Sequence, residues 1–140
     1  MERQMVRLSN FLPTIRMATR EGWEKNVGQY IRGFLEDEGK TITKGNFTYH
    51  YYRFCVMESN VPFATMQRQE NGRVVYDQAP VILGQSYSVK LQNKANGLMK
   101  SYVKRGGYVG AWFHIAYLGM VSTPEGKNKG TMMHDFDIQV

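Results

Sequence analysis

Aromatic and cationic residues alternate along two segments of the chain, and a surface of this kind could bind a polyanion. Both segments are predicted to be β-strands, in which successive side chains point to opposite faces. The residues expected to point outward are Tyr30, Arg32 and Phe34 in the first segment, and Tyr49, Tyr51 and Arg53 in the second. Cations bind phosphates and aromatic rings stack on unpaired bases, so the pattern predicts a surface for single-stranded nucleic acid. The alternative is that these tyrosines simply pack within a small β-protein.

Further cations lie in predicted loops or at their rims: Lys44, Arg68, Arg73, Lys127 and Lys129. The chain has 18 Lys and Arg against 12 Asp and Glu, which gives a formal net charge of +6 at pH 7. A positive charge attracts nucleic acid, although surface lysines also serve solubility alone. We therefore expect these residues to contact phosphates around the aromatic surface, with solubility as the other interpretation.

Residue types that carry catalysis or bind metals are present, but they are not grouped. Metal sites commonly use closely spaced ligands, but the three histidines are far apart in the sequence, at His50, His114 and His134. Neither a phosphate-loop motif nor a dinucleotide motif occurs. Asp135 and Asp137 share a face of the last predicted strand, where acidic residues commonly block sheet-to-sheet association. The single cysteine, Cys55, is interpreted as structural. Together, these features predict no enzyme, no metal and no cofactor.

A strand-rich pattern, interrupted by one helix, must position these residues. Strands are predicted near residues 28–35, 47–57, 63–76 (one strand or a bent pair), 108–118 and 132–140, and another extended stretch near residues 81–91. Turns are predicted at residues 36–39 and at Asn71-Gly72. Apolar residues recur with helical spacing between Asn93 and Arg105. This order predicts an all-β fold with one short helix, specifically a five-stranded antiparallel barrel of the OB (oligonucleotide-binding) type with the helix between strands 3 and 4. Residues 28–140 would form the barrel, and residues 1–27 an N-terminal extension packed on it.

The two tryptophans lie outside the aromatic and cationic pattern. Trp112 is opposite in parity to Phe113, so it could be a stacking platform or a partly buried wall, and the favoured interpretation is a core or dimer contact. Trp23 lies ahead of the barrel. It is expected either to fasten the N-terminal segment to the barrel or to bind a partner.

Four consecutive elements of the C-terminal half carry a resemblance to a known family. They are residues 98–103, residues 113–119 with their Tyr117-Leu118-Gly119 ending, the Gly126-Lys127 loop, and residues 134–138. Over residues 81–140 this order resembles the phage-type single-stranded DNA-binding proteins with an OB fold. The resemblance implies that fold and that function, and it transfers no site residue to this chain.

The cellular setting is inferred from what the composition excludes. One cysteine supports no disulfide framework, and no apolar stretch is long enough to cross a bilayer, so we expect an intracellular protein of the cytoplasm, or of the host cytoplasm if it is viral. The leading hypothesis is a sequence-tolerant single-stranded DNA-binding protein of viral or bacteriophage origin, acting in DNA replication, recombination or repair. The alternatives are an RNA-binding OB protein and a structural or assembly protein that uses the barrel for protein contacts. Further candidate partners are a second copy of the chain and replication or recombination proteins.

Overall fold

The computed structural model describes residues 12–19, 21–45, 47–91, 98–101, 109–122 and 132–140. Its strands are β1 (Thr14–Ile15), β2 (Tyr30–Lys44), β3 (Phe47–Ser59), β4 (Phe63–Glu70), β5 (Arg73–Pro80), β6 (Gln85–Leu91), β7 (Trp112–Ser122) and β8 (Met132–Gln139). A 3-10 helix covers Trp23–Asn26, and residues 98–101 are helical. In these ranges no helix has the length and apolar character needed to cross a membrane.

All the described strands belong to one eight-stranded sheet, in the order β5-β4-β1-β6-β3-β2-β7-β8. Each pairing is antiparallel except that of β1 with β6. Because β5 and β8 lie at its two ends, the sheet is not closed over the described residues. The predicted class, β-rich with one short helix, is confirmed. The prediction of five strands is wrong, because the sheet has eight.

Three strands account for the difference in number. β4 and β5 form a hairpin around Asn71-Gly72, where both residues have the positive φ that this dipeptide predicts. Most side chains of the hairpin are exposed, so its alternation of residue types does not reveal a core face. β1 is two residues long, too short for a sequence period to be visible, although Ile15 is buried in it. The N-terminal segment thus contributes a strand to the sheet.

The core lies on one side of the central strands and is built from alternate residues. β3 buries Tyr52, Phe54 and Val56, and β2 buries Ile31 and Leu35, which confirms the predicted parity of both strands. The same alternation continues in β6 and β7, whose buried side chains are Tyr87, Val89, Leu91, Phe113, Ile115 and Tyr117. The side chains at the other alternate positions of each strand therefore point away from the core, where they could contact a ligand.

β2 is longer than the sequence pattern predicts. The sequence pattern predicts a turn at the acidic run of residues 36–39, but β2 continues through it to Lys44. Its register against β3 shifts on both sides of Asp37. Shifts of this kind absorb extra residues without ending the ladder. As a result, β2 stays paired with β3 as far as Phe47, the first residue of β3.

Candidate nucleic-acid interface

The residues predicted to point outward from β2 and β3 lie on one face of the sheet, opposite the core. Leu35 pairs with Phe54 across the two strands, and both are buried. The buried sets of the two strands therefore point the same way, and the other parity forms a shared surface. That surface carries Tyr30, Arg32, Phe34, Tyr49, Tyr51 and Arg53. We refer to it as the outer face.

The β2 and β3 groups follow one another along the ladder instead of lying side by side. Phe34 pairs with Cys55, which is the next residue after Arg53 on the same face of β3. Arg32 pairs with Glu58, further along β3. Because the strands are antiparallel, the β2 group continues the row that the β3 group begins. The outer face thus carries one continuous row of aromatic and cationic residues.

Arg32 is held by three neighbours. Its Nη1 donates to Oε2 of Glu58 at 2.8 Å, and its Nε donates to Nδ1 of His114 at 3.0 Å. Its Cζ also lies 5.0 Å from the centroid of the Tyr30 ring, which is a cation–π contact. The guanidinium is therefore fixed in place and partly neutralised by one carboxylate.

Aromatic rings from two strands meet around Arg32. The rings of Phe34 and Trp112 contact edge to face with centroids 4.9 Å apart, and Tyr30 stacks on His114 at 5.9 Å. Trp112 is 38% exposed, while its neighbour Phe113 is buried. The interpretation of Trp112 as a core residue is therefore wrong, because its parity places it on the outer face. Sequence spacing could not show that it reaches Phe34, since β7 and β2 are far apart in the chain.

Arg53 has a carboxylate beside its Nε, but too far away for a hydrogen bond. Its Nε lies 3.6 Å from Oε1 of Glu36. Among the described residues this buried Nε has no hydrogen-bond partner. Glu36 instead accepts a hydrogen bond of 2.6 Å from the hydroxyl of Ser86. A shielded N–H without an acceptor is unfavourable, whereas the Arg53 side chain as a whole is 43% exposed and can be approached from solvent.

Lys90 extends the outer face onto β6, although the predicted site does not include it. Its Nζ lies 3.9 Å from the centroid of the Tyr49 ring, and it pairs with Tyr51 across β3 and β6. This arrangement places an ammonium beside two of the predicted stacking residues. The signal that could have found it is the alternation of Tyr87, Val89 and Leu91, which assigns Lys90 to the opposite face.

The two arginines predicted in the hairpin lie on the other side of the sheet. Arg68 has the parity of the buried Ala64, and Arg73 shares that parity because it pairs with Glu70. Arg68 forms ion pairs with Glu70 and Asp77. Its hydrogen bonds to Asp77 and then to Glu70 raise the pKa of its guanidinium. Neither arginine therefore lies with the residues of the outer face. The sequence could not show this, because the side that a hairpin residue faces depends on strand register, which spacing does not reveal.

The remaining predicted cations stay predictions. Lys44 is the last residue of β2, and only its backbone is described. Lys127 and Lys129 lie outside the described residues.

A cleft opens where β2, β3, β7 and β8 meet on the outer face. Its volume is about 510 Å³, and its lining consists of Arg32, Glu58, Trp112, His114, Gln139 and Val140. Gln139 pairs with His114 across β7 and β8, which brings the end of β8 to the rim of the cleft. The cleft therefore places one carboxylate, one guanidinium and one indole next to each other.

The titratable groups with shifted pKa values lie apart from the row. The hydroxyl of Tyr117 is hydrogen-bonded to Nδ1 of His134 at 2.6 Å. Burial, reinforced by the charge of Glu24, raises the pKa of Tyr117 to about 12, and burial lowers the pKa of His134. The pKa of His50 is lowered by burial and by the charge of Lys100. Within the described part of the chain, no group of His, Cys, Asp and Glu side chains could hold a metal ion.

This surface is interpreted from its own geometry. No family model matches the chain, and no curated protein or solved structure is detectably similar to it. Its function is therefore inferred from the chemistry of the row and of the cleft.

Proposed function

We propose that this protein is a sequence-tolerant single-stranded DNA-binding protein that holds the strand on its outer face. The supporting observation is the continuous row of aromatic and cationic side chains on β2 and β3, extended by Lys90 on β6 and Trp112 on β7. Aromatic rings in such a row stack on successive unpaired bases, each contributing roughly 1–3 kcal/mol. The cations between the rings neutralise phosphates, which makes the binding dependent on salt.

The order of five contiguous strands, which we propose to form an OB-type unit, supports the same proposal. β6, β3, β2, β7 and β8 are contiguous in the sheet, and in chain order the helical residues 98–101 fall between the third and fourth of them. In a partly open OB barrel, oligonucleotides bind over the second and third strands. The corresponding strands here are β3 and β6, which carry Tyr49, Tyr51, Arg53 and Lys90. β1, β4 and β5 would be additions to this unit.

Acidic neighbours reduce the positive character of the row but do not remove it. Glu58 pairs with Arg32, and the two side chains are 51% and 43% exposed. An ion pair with this exposure contributes only about 0–1 kcal/mol, so an incoming nucleotide can rearrange it at little cost. Arg53, whose side chain is 43% exposed, and Lys90 on the adjacent strand β6 are the cations that we propose bind phosphates.

The proposed setting is DNA replication, recombination or repair in a viral or phage system, within the host cytoplasm. Stacking and phosphate contacts act on RNA as well as on DNA, so RNA is the closest alternative ligand. A structural or assembly protein would instead bury the same aromatic residues between subunits. One titration separates these three possibilities.

The test measures fluorescence anisotropy of labelled oligonucleotides of about 16 nucleotides and mixed sequence. Single-stranded DNA, duplex DNA and RNA are compared at about 50 mM and 200 mM salt. We expect the single-stranded DNA to bind most tightly and its affinity to fall as the salt rises. Tighter binding to RNA would reassign the ligand, and no binding to any of the three would contradict the proposal.

Tryptophan fluorescence locates the binding surface without a label. The chain has two tryptophans, Trp112 on the outer face and Trp23 packed against the core. Bases that stack near an indole quench its emission, so unlabelled single-stranded DNA should quench Trp112. The W23F variant is expected to keep this quenching and the W112F variant to lose it. The reverse result would place the strand elsewhere.

A further inference from the structure

The two edges of the described sheet differ in how they could meet another chain. β8, at one edge, carries Asp135 and Asp137, and its register against β7 shifts between Tyr117 and Gly119. Charges and bulges are features by which proteins prevent an edge strand from pairing with another chain. β5, at the other edge, pairs with β4 over eight residues without a register shift. Among the described strands β5 has no neighbour beyond β4, so its second side is open in that part of the chain.

β5 also presents apolar side chains to solvent. Val74 is 47% exposed and Tyr76 is 58% exposed. The strand contains no lysine, and its single proline, Pro80, is its last residue. A regular, partly apolar edge strand of this kind is a template for pairing with another strand.

The hairpin turn determines which backbone groups of β5 face the open side. The turn has two central residues and Arg73 follows them, so the N–H of Arg73 points toward Glu70 on β4. Backbone groups alternate in direction along a strand of an antiparallel pair. The groups that point away from β4 therefore belong to Val74, Tyr76 and Gln78.

The hairpin is electrically neutral, although the chain has a formal net charge of +6. The charged residues between positions 63 and 80 are Arg68, Glu70, Arg73 and Asp77. Two copies of a basic protein repel each other over most of their surfaces, but this repulsion is weakest where each copy is neutral. A second copy of the chain can therefore approach the open side of β5.

We propose that β5 pairs antiparallel with β5 of a second copy, about a two-fold axis at Val75. Val74 then lies opposite the partner's Tyr76, and Arg73 lies opposite the partner's Asp77. The first pair joins a β-branched and an aromatic side chain and the second joins opposite charges, and both kinds of pair stabilise antiparallel strands. An axis at Val74 or at Tyr76 would instead place Val75 opposite a charged residue. The axis at Val75 is therefore the register in which the edge is complementary to itself.

Each copy has the charges that this contact needs. Arg73 is exposed and forms no ion pair within the described ranges. Asp77 pairs with Arg68, but a carboxylate accepts several hydrogen bonds and can bind a second cation. The two-fold axis runs perpendicular to the joined sheet, so the outer faces of both copies point the same way. The contact forms without nucleic acid and does not depend on the proposed function.

Charge variants test the register. R73E and D77K each place like charges opposite one another across the axis, so each variant alone should dimerise roughly tenfold or more weakly than wild type. In an equimolar mixture of the two, opposite charges meet again and dimers should form. The control is K25E, which changes the charge as R73E does but lies on the 3-10 helix whose Trp23 approaches Gly119 of β7. Sedimentation velocity over a range of protein concentrations measures the mass, and circular dichroism verifies that each variant is folded.

A cross-link tests the same register without relying on charge. Val75 would lie opposite the partner's Val75 in a pair without hydrogen bonds, where Cα atoms are about 4.5 Å apart. Since that distance suits a disulfide, V75C combined with C55S should form a covalent dimer on mild oxidation. V74C combined with C55S is the control, because its two cysteines would be diagonal neighbours about 7–8 Å apart, too far for a disulfide.

We expect wild type and K25E to reach the mass of a dimer as the concentration rises, and V75C/C55S to cross-link while V74C/C55S does not. A wild-type protein that stays monomeric, or equal cross-linking of the two cysteine variants, would overturn the proposal. So would folded R73E that dimerises as well as wild type, or an equimolar mixture of folded R73E and D77K that stays monomeric.

Discussion

Arg53 and Glu36 lie side by side without a hydrogen bond, with 3.6 Å between Nε of the arginine and Oε1 of the glutamate. If the strand lies on the outer face as proposed, Arg53 is one of the cations that bind its phosphates. Replacing Arg53 by Ala should make the plot of log affinity against log salt concentration shallower by close to one unit, because each phosphate contact releases about one counterion. Anisotropy titrations between about 50 mM and 200 mM salt measure this slope.

Arg68 provides the matched control for this prediction. It is ion-paired with Glu70 and Asp77 and has the parity of the core face. The R68A variant removes the same charge as R53A but should leave the salt slope unchanged. Equal changes in both variants would mean that only net charge matters, and no change in R53A would exclude Arg53 as a phosphate ligand.

Tyr51 and Tyr52 are neighbours in β3 that should separate binding from stability. Replacing Tyr51 by Ala should weaken single-strand binding by about 1–3 kcal/mol and change the free energy of unfolding by less than about 1 kcal/mol. Tyr52 is 5% exposed, and its replacement by Ala should lower the free energy of unfolding by about 3–5 kcal/mol. Denaturant unfolding and anisotropy on the same samples measure the two quantities. If Y51A unfolds readily while its affinity per folded molecule is normal, the stacking surface has been assigned to the wrong face.

Features that depend on local period were predictable from the sequence. Alternation in β3 identifies Tyr52, Phe54 and Val56 as core residues, and the structure buries all three. Asn71-Gly72 predicts its hairpin because both residues tolerate positive φ. The helix predicted within residues 93–105 is observed at residues 98–101, and the rest of that range lies outside the described residues. Each of these features is encoded within about ten neighbouring residues.

Features that depend on strand order were not predictable in this way. Arg32 is 26 residues from Glu58 and 82 residues from His114 in the chain, yet it bonds to both. Only the adjacency of β2 with β3 and with β7 creates that cluster and the cleft around it. The side faced by Arg68 likewise depends on the register of the hairpin. Spacing alone therefore identified the residues of the row but not the contacts of Arg32 with Glu58 and His114.

Gly33 should be essential for the pairing of β2 with β3. A Cβ atom at this position would lie 2.0 Å from the carbonyl oxygen of Cys55, a backbone atom that cannot rotate away. Replacing Gly33 by Ala should therefore lower the free energy of unfolding by about 3 kcal/mol or more. Gly45 is the control, because a Cβ atom there meets nothing and only its positive φ of 61° opposes substitution. The G45A variant should lose about 1–2 kcal/mol in denaturant unfolding, and an equal or smaller loss in G33A would contradict the close approach.

Burial of His134 should make the protein less stable in mild acid. Its pKa in the folded state is lowered from 6.5, so below that pH the unfolded chain binds a proton that the folded chain resists. The free energy of unfolding should therefore be fully retained above about pH 7.5 and decrease as the pH falls through 6.5 toward the lowered pKa. Burial also lowers the pKa of His50, which contributes in the same direction.

Denaturant unfolding of wild type, H134Q and the H50Q/H134Q double variant between about pH 5 and pH 8 measures these contributions. Glutamine does not titrate, and its amide can still hydrogen-bond to the hydroxyl of Tyr117. Each replacement should therefore flatten the dependence of the free energy of unfolding on pH, and the double variant should be the flattest. The Y117F variant retains both histidines. Its free energy of unfolding should therefore change at every pH, while its dependence on pH keeps the same sign. A wild-type slope in H134Q would show that the proton uptake that destabilises the fold occurs elsewhere.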